Sequence, residues 1–419
     1  MATRNQRSQR GRGQNNQQPS FSQWCVDICR EADGQATLSG MELLGPIDAC
    51  TDLLLSASAS DGAVLAAEQL VHLVEGWRYI AASVNAVLSH APGQALHLAY
   101  YAELRAAVSL YAWSGIRVKQ NDYYYMDAQQ VKKSLSGYGT HQAAWGIWKE
   151  WCKRPDAQGL FGSLKLASGV TLESILQHLR YVDTTQIASG WGIDLWDATI
   201  DRNARNVSSY EAELAQKPLI PMSNSDVSLI LDLWRLFLRD ETALGFDTAF
   251  INYIVAESIP KIQGQAIENT YDSVLNSLVE RVSRDTGIET DLIVRRLDSA
   301  LYPSSPFKYA ADSATDVLNV LCRGFCLLRM AMLAAEQSIG AALPASVNKW
   351  ITNWLYYSGI LNPEEDVELL DIEEDYRLSI ESLDAQGSLP SKLWTPGNSE
   401  YIAKIIRPDA CIAWGGLIT

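Results

Sequence analysis

Two long stretches of helical periodicity, joined by a very short turn, limit most strongly how this chain folds. From Gly62 to His90 apolar residues recur at helical spacing, which places them on one face of an α-helix. The stretch from Gln94 to Trp113 repeats the pattern. The apolar faces consist of Leu65, Leu70, Leu73, Val74, Trp77, Ile80, Ala81 and Val84 in the first stretch, and of Leu96, Tyr100, Leu104, Ala107, Val108 and Tyr111 in the second. Ala91-Pro92-Gly93 ends the first helix and turns the chain, so we predict an antiparallel helix pair.

Helical patterns continue through most of the remaining sequence and predict an all-α fold. Because a single core seldom serves more than about 250 to 300 residues, a chain of 419 residues is expected to form two domains. Pro218 and Pro221 lie in the stretch that we take as the boundary. We predict a disordered basic arm at 1–20, an N-terminal helical domain at 21–215, a C-terminal helical domain at 222–386 and an irregular tail at 387–419. Between Arg117 and Gly139 the helical period is lost, and we predict turns anchored by tyrosines there.

The first 20 residues differ from the rest of the chain in charge. They contain Arg4, Arg7, Arg10 and Arg12 among Gln, Asn, Ser and Gly, and no acidic residue precedes Asp27. The whole chain has a formal net charge of -15, which repels phosphates over most of the surface. Contact with RNA or DNA therefore has to come from a local basic segment, and the arm is the candidate. The alternative is a tail that only keeps the protein soluble.

The motifs of most cofactor enzymes are missing from the sequence. No GxxxxGK, GxGxxG, HExxH or GxSxG occurs, so we predict that the chain uses no cofactor. Cys25 and Cys29, like Cys322 and Cys326, are four residues apart rather than in CxxC pairs. Because the histidines do not cluster near them, we predict no metal site.

The cysteines and the apolar segments also bear on location. Seven cysteines occur in a chain whose N-terminus lacks the apolar segment of an export signal, so we expect a reducing, cytoplasmic location. The most apolar run, residues 317–335, carries Arg323 and Arg329 in its interior. Two charges at such positions argue against a membrane span.

A polar cluster from Asp194 to Tyr210 follows an apolar run and is the candidate site. Arg205-Asn206-Val207-Ser208-Ser209-Tyr210 places a cation and a hydroxyl about one and a half helical turns apart, where they can hold a phosphodiester. This motif resembles that of the HEPN superfamily, all-helical proteins common in bacterial toxin–antitoxin, abortive-infection and antiviral systems. The ribonuclease motif of that family is arginine, four to six residues, then histidine. Tyr100-Tyr101-Ala102-Glu103-Leu104-Arg105 is similar to the polar-bearing second helix of that fold, so the resemblance covers about residues 62–215.

The resemblance implies roles for individual residues. It assigns phosphate contacts to Arg205 and Asn206, a partner role to Glu103 on the second helix, and the position of the family's histidine to Tyr210. Tyrosine, with an ordinary pKa near 10, is a poor base at neutral pH. Arg202 is a further candidate contact for nucleic acid. The alternative is that the neighbouring aspartates pair with the arginines and only stabilise the start of a helix.

Three functions remain open from the sequence. The first is a non-catalytic or weakly catalytic helical component of a bacterial antiviral defence or stress system, built on an N-terminal HEPN-like bundle plus a C-terminal helical domain, that binds a partner protein or nucleic acid. The second is an active HEPN-type ribonuclease, with His141 as a further candidate. The third is a structural assembly or virion subunit with a nucleic-acid-binding arm. The family implies a homodimer as well.

Overall fold

The computed structural model describes residues 20–414 except for 45–49, 51, 55, 57–58, 120–121, 136–137, 180–222, 241–242, 264–270, 299–300, 315, 341–344, 363, 365–368 and 388–392. Helices make up most of this part of the chain and strands only a small share, so the predicted all-α character is confirmed. The helices are α1 (Phe21–Glu31), α2 (Gln35–Met41), α3 (Asp61–Leu88), α4 (Pro92–Trp113), α5 (Thr140–Trp151), α6 (Pro155–Gly162), α7 (Leu172–His178), α8 (Asn224–Phe237), α9 (Gly245–Gln263), α10 (Tyr271–Thr286), α11 (Thr290–Arg296), α12 (Ser305–Ala311), α13 (Val317–Gly340), α14 (Ala345–Tyr357), α15 (Leu369–Asp384) and α16 (Ser399–Ile405).

The predicted helix pair is present as α3 and α4, which pack along their lengths. The helix bounds lie within a few residues of those predicted. Ser60 caps α3, since its hydroxyl accepts a hydrogen bond from the Ala63 N–H at 3.2 Å. Pro92 stands in the first turn of α4, where its missing N–H costs no hydrogen bond. Between the helices His90 adopts a φ of 57°, and this turns the chain.

Helix α13 packs against both helices of this pair although it comes much later in the sequence. Gly324 allows the close approach, because a Cβ there would lie 2.9 Å from Cδ1 of Ile80. Helix α13 is long and apolar enough to cross a membrane, but 89% of its apolar window is buried inside the protein. Its apolar surface is therefore covered by other helices.

One main hydrophobic core joins the described parts of both sequence halves. At its centre Trp77 of α3 packs edge-on against Phe237 of α8 and Phe325 of α13, with ring centroids 4.9 and 5.8 Å apart. These partners belong to the predicted C-terminal domain, whereas Trp77 belongs to the predicted N-terminal one. The division into two helical domains is therefore not confirmed, because apolar residues from both halves share a core.

A three-stranded antiparallel sheet replaces the turns predicted between Arg117 and Gly139. Strand β1 (Ile116–Lys119) pairs with β2 (Asp122–Met126), which pairs with β3 (Lys132–Leu135). Tyr123, Tyr124 and Tyr125 are all buried in β2. A strand covered on both faces shows no alternation of polar and apolar residues, so its sequence does not have the period of a half-exposed strand. Two short ribbons, β4 (Lys165–Ala167) with β5 (Val170–Thr171) and β6 (Arg239–Asp240) with β7 (Ala243–Leu244), complete the described strands.

The end of the chain differs from the irregular tail that we predicted. It contains α16 and two 3-10 turns, Pro396–Asn398 and Pro408–Ala413. Each proline stands at the start of its turn, where a proline favours a helical conformation instead of breaking it. The last described residue, Trp414, is buried and donates from Nε1 to the Phe237 carbonyl at 2.8 Å. The described part of the tail therefore contributes buried residues to the core.

Candidate functional site

Most residues that the sequence marked as functional lie outside the described part of the chain. The candidate phosphate contacts and the tyrosine at the histidine position are among them, as are the arginines of the arm. The residues concerned are Arg202, Arg205, Asn206, Tyr210, Arg4, Arg7, Arg10 and Arg12. Their roles stay predictions.

Glu103, the candidate on α4, lies in the core with no exposed surface. Its Oε1 atom lies 3.5 Å from Nε of Arg323 on α13, and both side chains are buried. Arg323 also donates from Nη1 to the Asp312 carbonyl at 2.8 Å. In this structure the carboxylate faces α13 and not solvent, so it joins two central helices of the core.

The solvent-facing side of the helix pair carries a charged triad, with His72 and Glu75 on α3 and Arg105 on α4. Glu75 Oε2 lies 3.0 Å from Arg105 Nε and 3.4 Å from His72 Nδ1. Arg105 Nη1 lies 3.2 Å from the same His72 nitrogen. Because a guanidinium only donates, the neutral imidazole accepts from Arg105, whereas the protonated imidazole would donate to Glu75. The triad thus offers a cation whose charge is already compensated by a carboxylate.

Burial raises the pKa of Glu75, but a hydrogen bond from His72 and the charge of Arg105 outweigh it, so its pKa lies below the ordinary value. Glu75 therefore stays ionised at neutral pH. A phosphate that approaches Arg105 has to compete with it, and this favours a weak anion contact over a tight clamp.

One helical turn along both helices from the triad lies a set of rings, which we call the aromatic cluster. Its members are Tyr79, His97, Tyr100, Tyr101, His141 and Trp145. Tyr79 and Tyr101 stack across the helix pair with centroids 5.5 Å apart, and His97 lies 4.9 Å from Tyr101. Behind them the Tyr100 hydroxyl lies 2.8 Å from His141 Nδ1. Trp145 donates from Nε1 to that hydroxyl at 3.2 Å.

The cluster has a buried part and an accessible part. Tyr100 and Trp145 are buried and fix the position of His141, whereas Tyr79, His97, Tyr101 and His141 are half-buried. Half-buried π faces beside a guanidinium are the groups that stack on unpaired bases in single-stranded nucleic acids. The accessible rings therefore lie beside the charged triad on the solvent-facing side of the helix pair.

The sequence pointed to α4 as a functional helix, but not to the solvent-facing side of α4. It singled out Glu103, which points into the core, whereas His97, Tyr101 and Arg105 follow one another at intervals of four on the other side. Glu75 and Tyr79 on α3 have the same spacing. This repeat of polar and aromatic residues is the sequence signal that could have indicated the face. Which residues of α3 lie opposite those of α4, however, depends on how the two helices pack.

The described residues provide little for metal or thiol chemistry. Among them no group of three or more His, Cys, Asp or Glu side chains is arranged to hold a metal ion. Burial raises the pKa of the Cys25 thiol to about 12, and Glu150 adds to the effect. A protonated thiol is a poor ligand and a poor nucleophile. Cys25 therefore serves as a small core residue.

Comparison of the chain with known protein families, with curated proteins and with solved structures finds no match. The residues of the chain thus carry the functional argument alone.

Proposed function

We propose that the chain is a non-catalytic helical protein that binds single-stranded nucleic acid, as a component of a bacterial defence or stress system. The proposal is carried by the charge segregation in the sequence. Four arginines and no acid precede Asp27, in a chain whose net charge is -15. Because the rest of the chain is acidic and repels phosphates, the basic arm is the main place where a nucleic acid can bind.

The solvent face of α3 and α4 supports the proposal with a second kind of contact. The half-buried rings of Tyr79 and Tyr101 give bases a surface on which to stack, and Arg105 lies one helical turn away. Stacking on aromatic side chains contributes roughly 1 to 3 kcal/mol per base and tolerates any sequence. Arm and face together favour sequence-tolerant binding. The bacterial setting rests on the HEPN resemblance of residues 62–215.

The arm is tested by replacing Arg4, Arg7, Arg10 and Arg12 with alanine and measuring fluorescence anisotropy of a labelled single-stranded RNA. We expect affinity to fall steeply, because the electrostatic part of binding is removed. Four phosphate contacts correspond to a slope of about -3 in the logarithm of affinity against the logarithm of salt concentration, and the variant should lose most of this slope.

Replacing the same four residues with lysine is the matched control. It keeps the charge and should keep most of the affinity and the salt dependence. Equal affinity of the wild-type protein and the alanine variant would remove the arm from the proposal.

Absence of catalysis is tested with the same RNA. Tyr210 stands where the family's nuclease carries histidine, and a tyrosine provides no efficient base at neutral pH. Incubation with purified protein should leave the RNA intact. Dose-dependent cleavage that disappears in the Arg205→Ala variant would instead favour the ribonuclease.

A further inference from the structure

A cavity of about 550 Å³ opens at a place that neither the arm nor the aromatic cluster involves. It lies between the turn from α1 to α2, the end of α4, the start of α6 and the end of α13. Its volume is in the range of small-molecule sites in proteins. Trp113 lines it eight residues beyond Arg105, which is about 12 Å along α4. The cavity is thus separate from the charged triad.

Two of the three charges that line the cavity compensate each other. Arg154 donates from Nε and Nη2 to the two carboxylate oxygens of Asp156, at 2.8 and 2.7 Å. Its guanidinium also donates to the carbonyls of Cys29 and Ala32 at the end of α1. Arg154 is therefore engaged in holding α1 against α6 and offers little to an anionic ligand.

The third charge, Asp33, has no cationic partner among the described residues. Its Oδ1 accepts from the Gln35 N–H at 2.8 Å, and its Oδ2 accepts from no group in the described part of the chain. Two carboxylates and one guanidinium therefore give the lining a net side-chain charge of -1, with the Asp33 carboxylate held at the N-terminus of α2. A cavity of this kind attracts cations and repels anions.

The backbone fixes Asp33 in place. Its N–H donates to the Met126 carbonyl at 2.8 Å. Gly115, at a φ of 79°, lies so close that a Cβ there would be 2.0 Å from the Asp33 carbonyl oxygen. A Cβ on Gly34 would lie 2.5 Å from the Trp113 carbonyl oxygen. The carboxylate is thus held on a turn that cannot shift easily, and such preorganisation favours binding.

We propose that this cavity binds a small organic cation, a protonated amine or a guanidinium. The charge would lie on Asp33 Oδ2, and the apolar part of the ligand would lie against the half-buried Trp113. Gln337, which also lines the cavity, donates from Nε2 to Ser163 Oγ at 3.0 Å. This inference does not depend on the proposed nucleic-acid binding.

Isothermal titration calorimetry of the full chain with argininamide tests the proposal, with citrullinamide, in which a neutral ureido group replaces the guanidinium, as the probe of equal shape. We expect argininamide to bind at least tenfold more tightly, since a hydrogen bond to a charged group is worth more than one to a neutral group. Asp33→Asn keeps an oxygen for the Gln35 N–H and removes only the charge, so it should weaken argininamide binding about tenfold or more. Glu42→Gln, which removes an exposed carboxylate just beyond α2, should leave it unchanged.

A second variant adds a negative charge to the cavity lining at an exposed position, where the substitution does not disturb the core. Gln337 is exposed, and Gln337→Glu should tighten argininamide binding several-fold. The proposal is overturned by equal binding of the two probes, by lack of argininamide binding at millimolar concentration, by an effect of Glu42→Gln as large as that of Asp33→Asn, or by a Gln337→Glu affinity no higher than that of the wild type.

Discussion

Glu103 was a candidate site residue in the sequence, but the structure places it in the core. Its position on the second helix of the predicted pair made it a candidate partner for Arg205. The structure places it without exposed surface, with its Oε1 atom 3.5 Å from Nε of Arg323. Removing one member of a buried ion pair leaves the other charge uncompensated, which costs roughly 3 to 5 kcal/mol. The residue thus stabilises the contact between α4 and α13.

Glu103→Gln should lower the free energy of unfolding by about 3 kcal/mol, because Arg323 loses its compensating charge. Urea denaturation followed by circular dichroism measures this. The double variant Glu103→Leu with Arg323→Met removes both charges and should be less destabilised than the single variant. A Glu103→Gln protein of unchanged stability but altered RNA binding would show instead that the carboxylate acts on a ligand.

Helices whose bounds depend on nearby residues could be predicted from the sequence. Contacts between elements that are far apart in the sequence could not. The bounds of α3 and α4 follow from periodicity and from the Pro92-Gly93 step, all within one short stretch. Strand β2 was missed because its tyrosines are buried on both faces. The insertion of α13 could not be predicted, because nothing local to Gly324 indicates that Ile80 lies against it.

Some residues of the candidate site could likewise be predicted from the sequence, and others could not. The spacing of His97, Tyr101 and Arg105 was readable along α4, but Glu75 and Tyr79 enter only through the packing of α3. The cavity was not predictable at all, since Asp33 and Trp113 meet through a turn whose conformation depends on close backbone contacts.

The crossing of α2 over the start of α3 requires a glycine at position 40. A Cβ there would lie 2.0 Å from the Gly62 carbonyl oxygen, which is backbone and cannot rotate away. Gly40→Ala should therefore lower the free energy of unfolding by about 2 to 3 kcal/mol, as overpacking does. Thermal unfolding measures the change.

Gly159→Ala is the matched control for that substitution. Gly159 lies in α6, is exposed and has nothing within 4 Å of a Cβ. Alanine should stabilise this helix by up to about 1 kcal/mol. Equal effects of the two substitutions would mean that α2 and α3 do not cross as closely as the structure has them.

Two features concern the whole molecule: the described halves share one core, and the basic arm differs in charge from the acidic remainder of the chain. The main core extends from Trp24 to Trp414, so the described halves pack as one hydrophobic unit. The surface is acidic overall, and the basic residues of the arm precede α1. In the proposed function, the arm holds a flexible polyanion while the acidic remainder of the chain repels it.

Photocrosslinking of a single-stranded RNA containing 4-thiouridine to the full chain, followed by mass spectrometry of the peptides, tests the central claim most directly. The account predicts crosslinks in residues 1–20 and in peptides containing Tyr79 or Tyr101, with the RNA recovered uncut. Crosslinks confined to other peptides, or RNA cut by the wild-type protein and spared by Arg205→Ala, would contradict it.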